Sequence, residues 1–507
     1  MPLHKTIATI LTVCAATISV AQTDGRRLPA NTICETRVRM ELGGMANPAM
    51  MTTLADTSMS AIGASYDANG NIAETSEVGT GWHGWQAEGR TYIRMGRDLA
   101  AWGHASYKKG VRENVLLSEN IDYETIRPMA VADSVGGDKD SENYAFAAGF
   151  AWDGRLASVG LQIGYSSTSE YRDHDPRPKA DAVEAQVTLG GVMNLGDTHR
   201  IGLYGSLRKY SQDMTLKFFN AYKETMTIYH LQGLGTDYTR FSGVYDGSQY
   251  RGRGIGGGLT YSGPLRATIG MSRMRTEKSL DDLEDAVIGE TLVRDIDARL
   301  SRNGQIGMWE TAAILSVTMS KNDLTQHIYD DGTHNYHRLS SRKPYSRKTS
   351  DIALALHAMR TDEAASRGVE TSLRLGFSTD EEQETDTHNR LKKSIVGIGA
   401  DASAWQDWSR CRLTYGLRLN HRSAVGTTKD LTKPRKVEMP HAREIMASDF
   451  DRQTTAKTGG AIDLRLDIDV PRHIRTFFIS AHGSSSWYHG GDYSAVTMFS
   501  IGAGVTL

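Results

Sequence analysis

Residues 410–420 alternate without exception: Cys411, Leu413, Tyr415, Leu417 and Leu419 are apolar, while Arg410, Arg412, Thr414, Gly416, Arg418 and Asn420 are polar or small. Residues 461–470 repeat the pattern, with Ile462, Leu464, Leu466, Ile468 and Val470 on one face and Asp463, Arg465, Asp467 and Asp469 on the other. A helical period cannot produce this; a strand does, because successive side chains point to opposite faces. Charge at every second position needs water on one side and an apolar medium on the other. Similar segments recur at 58–66, 85–95, 99–107, 144–152, 157–166, 183–193, 200–209, 251–262, 265–274, 291–301, 306–319, 352–360, 368–378, 395–405, 474–483 and 494–507. The pattern predicts about eighteen strands.

The connectors alternate in length. Short ones, such as Gly96-Arg97-Asp98, Asp153-Gly154, Asn303-Gly304 and Val470-Pro471-Arg472, follow every second strand, and several hold tight-hairpin dipeptides. Between them lie long polar connections at 109–142, 210–250, 320–350 and 421–460, longer than globular hairpins need. Short turns on one side and long loops on the other predict an all-β fold, a transmembrane antiparallel barrel with periplasmic turns and extracellular loops. A secreted sandwich or propeller gives no reason for loops to alternate in length. Phe499, Ile501, Ala503, Val505 and Leu507 give the last strand an apolar face running to the final residue. Trp82, Trp85, Tyr107, Trp152, Tyr165, Trp405, Trp408, Trp487 and Tyr488 lie at strand ends, as interfacial girdles require.

Composition fits once the faces are separated. A mean hydropathy of −0.42 resembles that of a soluble protein, but a barrel averages a lipid face with a polar lumen face. Beyond the N-terminal segment no run of about 18 apolar residues occurs, which excludes a helical membrane protein. With 58 basic against 60 acidic residues there is no field to recruit a polyanion, and nucleic acid is not an expected partner. His4 and Lys5, the apolar stretch Ile7 to Val20, and the small pair Ser19 and Ala21 mark residues 1–21 as a cleaved signal peptide. Residues 22–57 are then a periplasmic segment or a small lumen plug, with alternation at 33–42, and residues 58–507 form the barrel. Cys34 and Cys411 enter an oxidising compartment, where they are free to pair if the fold brings them together.

Gly252-Arg253-Gly254-Ile255-Gly256-Gly257 matches the dinucleotide fingerprint, yet it lies in an alternating strand and opens no helix. Its glycines let the wall bend or something in the lumen come close. No H-E-x-x-H, G-x-S-x-G or Walker pattern occurs; an outer-membrane hydrolase, whose triad would be spread over several strands and invisible as a motif, ranks third, and the expectation is no enzyme and no cofactor. Arg410, Arg412, Arg418, Asp463, Arg465 and Asp467 are candidate lumen-facing residues, either a charged constriction or cross-strand ion pairs that stiffen the wall. His334, His337 and His174, with acids nearby, are weak candidates for a metal or haem site, against the commoner case of solvated loop residues.

Arg127-Pro-Met-Ala-Val-Ala-Asp-Ser-Val-Gly-Gly-Asp138, followed by Tyr144-Ala-Phe-Ala-Ala-Gly and preceded by Trp102-Gly-His-Ala-Ser-Tyr107, resembles the Bacteroidota outer-membrane β-barrel family known as domain-of-unknown-function family 6850. The resemblance implies a barrel in the outer membrane of a Gram-negative cell, inserted by the barrel-assembly machinery, with a role near TonB-dependent nutrient uptake. About 36 residues before the first strand are too few for the plug of a TonB-dependent receptor, so such a receptor would be a partner. Asn47-Pro48-Ala49 is similar to the N-terminal tripeptide of the long-chain fatty acid channel family, which points to a hydrophobic substrate. The favoured role is a channel or accessory component for uptake of a small solute. The competing class is a surface-exposed protein that captures a metal, haem or protein partner and uses the barrel as its anchor. In detergent the protein should show β circular dichroism and heat-modifiable gel migration; solubility without detergent would refute the barrel.

Overall fold

The computed structural model describes residues 46–54, 58–70, 75–196, 198–219, 227–238, 240–241, 243, 247–281, 286–330, 337–362, 366–431, 439, 441–470 and 476–507. The expected signal peptide, Cys34 and its pairing with Cys411, and His334 lie outside these residues. Eighteen strands form one antiparallel sheet in which each pairs with its sequence neighbour. Met59–Gly70 pairs on one side with Gly81–Met95 and on the other with the final strand Val496–Thr506, closing the sheet into a barrel. Closure satisfies every strand edge, the condition for a sheet to lie in hydrocarbon.

Sequence parity decides the faces. Leu203 and Leu207, Ile255 and Leu259, Leu373 and Leu375, and Ile462 and Leu464 all point out of the barrel and are exposed. Their neighbours in sequence point inward. The glycine-rich run is part of the strand Gly247–Ser262, and its even-numbered glycines face the lumen. A Cβ on Gly252 would lie 2.7 Å from the end of Met274 and 3.0 Å from Tyr210, so neighbouring wall side chains are what come close there. Three of the expected girdle aromatics are on the inner face. Trp405 has the parity of Asp401, is 2% exposed, and lies against Gly368. Trp82 and Tyr488 share the parity of Gln86 and His482. Trp85, Tyr107, Trp152, Tyr165, Trp408 and Trp487 do face outward.

The long connections differ from the polar loops expected. Trp309–Tyr329 and Arg338–Thr361 absorb most of 320–350 as strand. Within 109–142 and 210–250 the strands run on to Val115 and Lys217; residues 116–136 then turn into the barrel, where Ile228 is also buried. The connection 421–460 holds further strand, to Asp430, and the helix Ala442–Thr454.

Leu417 and Leu464, 49% and 48% exposed, face the bilayer from adjacent strands. Leu417→Arg or Leu464→Arg should cost roughly 2–4 kcal/mol near the midplane. Either change should reduce the heat-modifiable folded fraction, whereas the inward Arg418→Leu should leave it intact.

Candidate functional site: a lumen stoppered by its own loops

Residues 116–136 enter the lumen from the long-loop end. A buried loop must find partners for its backbone, and here the wall supplies them. The Gln212 amide accepts from Ile121 N at 2.8 Å and donates to Ile121 O at 3.2 Å. The Tyr250 hydroxyl and the Lys278 ammonium both donate to Met129 O, at 2.7 and 3.0 Å. Asn322 donates to Arg127 O at 2.8 Å. Apolar packing completes the seal: Ile121, Ile126, Met129 and Val131 meet Ala180, Tyr210, Met214 and Leu324 of the wall. A second inward segment pairs Tyr229–His230 with Val131–Ala132. Further buried clusters join Leu117 to Leu231 and Ala442, and Leu234 to Leu391 and Phe450 of the helix Ala442–Thr454. The stopper therefore crosses the lumen from wall to wall.

Buried charges fasten it. Glu119 pairs with Lys139 at 2.8 Å and with Arg172 at 3.3 Å, and Arg172 also holds Asp133, all with side chains at most 1% exposed. Asp133 in turn accepts from Val135 N and Gly136 N at 2.7 and 2.6 Å. Across the lumen Arg127 pairs with Glu124 at 2.9 Å and with Glu382 of the wall. Of the residues Arg127 to Asp138 that carried the family resemblance, Gly137 and Asp138 open the wall strand Gly137–Asp153, and Arg127 to Gly136 thus belong to the stopper. Their neighbour Glu77 is enclosed beside Tyr123, whose hydroxyl donates to it at 3.2 Å. Burial pushes the Glu77 carboxyl up to about 7 against the opposing pull of Arg127. The cavity that Glu77 shares with Arg127, Glu382, Lys393 and Asp449 is about 40 Å³, room for a few waters and not for a solute.

Toward the short-turn end the wall carries a charged ladder that is partly exposed to the lumen. Arg374 meets Asp401 at 3.3 Å, Arg418 meets Asp463 at 2.7 Å, and Asp463 meets His482 at 2.8 Å. Of the residues expected to line the lumen, Arg418 and Asp463 belong to this ladder. Arg412 pairs with Asp407, and Arg465 with Asp467 at 2.8 Å while its guanidinium lies over Phe478. Arg410 is not part of the wall; it is exposed in the turn before Cys411–Asp430. His174 is exposed in a loop, and exposed His337 pairs with Asp330 at 3.3 Å. Among the described residues no three His, Cys, Asp or Glu side chains converge as metal ligands do.

The same end holds the short 3-10 helix Pro48–Thr53 against the inner wall. Asn47 caps it, accepting from Ala49 N at 3.0 Å, and donates to Gly191 O, Leu203 O and Thr260 Oγ1 at 3.1–3.3 Å. Gly160 and Gly190 give it room, since a Cβ on either would strike Pro48 or Asn47.

A family model described as a family of unknown function, DUF6850, matches residues 48–507. No protein of curated function matches the chain. Among solved structures, the ferric preacinetobactin receptor BauA of Acinetobacter baumannii is similar at 8% identity over 89% of this chain and 80% of that one, with a TM-score of 0.39. The ferric yersiniabactin uptake receptor FyuA of Yersinia pestis is similar at 11% identity over 89% and 80%, with a TM-score of 0.38. The open form of the ferric-catecholate import receptor Fiu of E. coli K12 gives 8% over 88% and 81%, with a TM-score of 0.37. Likeness this remote says nothing of what this chain binds.

Because its carboxyl is raised on folding, Glu77 adds stability in full below its ordinary value, and that share is lost as pH rises through about 7. Asp122, raised to about 6 by burial and by Glu170 and Glu184, acts in the same direction. The wild-type denaturant midpoint should therefore fall between pH 5 and pH 8 by more than that of Glu77→Gln, the Glu77 share being at most about 3 kcal/mol. Equal falls would refute the buried, protonated Glu77.

Proposed function

The chain belongs to a family of unknown function, and on its geometry we propose that it is an outer-membrane conduit for a small solute, held shut at its long-loop mouth by its own loops. The observation that carries this reading is the contrast along the axis: a packed, charge-fastened stopper at one end and a hydrated ladder of ion pairs at the other. Short turns and long loops support the orientation, with turns in the periplasm and the stopper facing outside the cell. In this reading residues 1–21 are removed on export, the barrel-assembly machinery inserts the strands, and a TonB-dependent receptor is the nearest uptake partner.

A second reading, surface capture or assembly, has one observation in its favour. Arg338–Thr361 runs 24 residues and its neighbours 18 to 21, against 11 for Val496–Thr506. About ten residues span a bilayer, so one side of the barrel stands well clear of the membrane as a raised wall.

Planar bilayers separate the two. Wild-type protein should be closed for most of the record. Removing one partner of a buried pair costs roughly 3–5 kcal/mol, so Arg172→Ala or Arg127→Ala should raise the open fraction at least about a hundredfold. Steady wild-type current would refute closure by the stopper. Silence from all three proteins, with heat-modifiable barrels intact, would overturn the conduit in favour of capture.

A further inference from the structure

The outer surface of the barrel is not uniform around its girth. Where the exposed apolar lipid face ends on the long-loop side, the last exposed apolar residues on five consecutive strands are Leu207, Ile255, Met271, Ile296 and Met319. The next outward residue on each of those strands is basic: Lys209, Arg253, Arg273, Arg294 and Lys321. On the strands from Met59–Gly70 round to Ala157–Tyr171 the outward positions near that edge are aromatic, with Tyr66 against Trp85, Tyr107 against Tyr144 and Phe146 against Tyr165, ring centroids 4.9–5.2 Å apart.

The basic residues sit in register with one another. Arg253 lies directly opposite Lys209 on one neighbouring strand and Arg275 on the other. Arg294 lies directly opposite Arg273 and Lys321. Like charges in direct cross-strand register destabilise a sheet unless something neutralises them. Acids on the same face answer only part of the row: Arg275 has Glu277 and Glu290, while Arg294 and Lys321 share Asp323 at 3.3 and 2.9 Å. Lys209, Arg253 and Arg273, on three adjacent strands, have no ion pair among the described residues.

We propose that this arc binds the phosphorylated headgroup of a lipid in the leaflet on the long-loop side. The apolar band directly beneath the charges selects an amphiphile: acyl chains lie along Leu207, Ile255 and Met271, which brings a headgroup phosphate to Lys209, Arg253 and Arg273. Guanidinium groups match phosphate geometry with paired donors, and the edge of the apolar band is poorly screened by water. The proposal rests on the membrane placement given above, but not on any movement of the stopper.

The test uses the full-length protein, stripped of lipid in non-ionic detergent, with three probes: mixed micelles of a phosphorylated disaccharide glycolipid of the lipid A type, the same glycolipid dephosphorylated, and inorganic phosphate. Bound ligand is counted by native mass spectrometry. Wild-type protein should retain the phosphorylated glycolipid and neither of the other probes. The triple variant Lys209→Gln, Arg253→Gln, Arg273→Gln should bind it at least about ten-fold more weakly, an effect a few charge-assisted contacts readily supply. Lys109→Gln, an outward lysine on the aromatic side, should bind as wild type does. Unchanged binding by the triple variant, or equal retention of the dephosphorylated lipid, overturns the proposal; binding of inorganic phosphate as tight as that of the lipid overturns its lipid part by assigning the arc to a soluble anion. Heat-modifiable migration establishes that each variant is folded, and solubility without detergent would mark failure of the membrane placement instead.

Discussion

A sheet survives in hydrocarbon only without an edge, and here the first and last strands supply the missing partners for each other. From that pairing the rest follows. Closure creates an inside and an outside; the two-residue side-chain period then assigns every position to one or the other. Hydrophobic burial does not hold such a wall together as it holds a globular core, because its leucines face lipid. Backbone hydrogen bonds between strands do that work, and half-exposed pairs such as Arg418 with Asp463 on the inner face add little to it.

The stopper is held on different terms. Residues 116–136 hold only the four-residue helix Tyr123–Ile126 and the two-residue strand Val131–Ala132, so their other backbone groups depend on side chains of the wall: Gln212, Tyr250, Lys278 and Asn322 each answer a carbonyl or an amide of this segment. Polar residues on the inner wall near the mouth are therefore not spare lumen lining. They take the place of the water that a surface loop would use, and the fully buried pairs of Glu119, Lys139, Arg172 and Asp133 fix where the segment sits.

The barrel was legible because period two is a direct imprint of lipid on one side and water on the other, and the strand count emerged from it. The inward course of 116–136 left no such imprint. Leu117, Ile121 and Ile126 are spaced irregularly; Ile121 and Ile126 are buried by wall from distant strands, and Leu117 by the other inward segments and the helix Ala442–Thr454. Trp405 was legible and misread, since it shares parity with Asp401 and Ser403; its position at a strand end outweighed the alternation that placed it inside. Asn47-Pro48-Ala49 stood out in the sequence, but nothing local showed that three carbonyl or hydroxyl oxygens from three other strands would receive the Asn47 amide. The basic arc needs strand register to be seen, because its members come from five segments that no motif connects.

Residues 116–136 are anchored at both ends, to the strands Leu99–Val115 and Gly137–Asp153, which are themselves hydrogen-bonded neighbours. An N-terminal plug can be pulled out as a body; a loop tied at both ends to one edge of the mouth can only swing about that edge, like a hatch on its hinge. Its two tethers leave side by side, so the swing leaves the cylinder whole. In a conduit, the aperture so made would be off-centre, opening first along the wall opposite the hinge, beside Glu382 and Lys393. Whatever passes would travel down that side, where the next charges it meets are Arg374, Asp401 and Arg418.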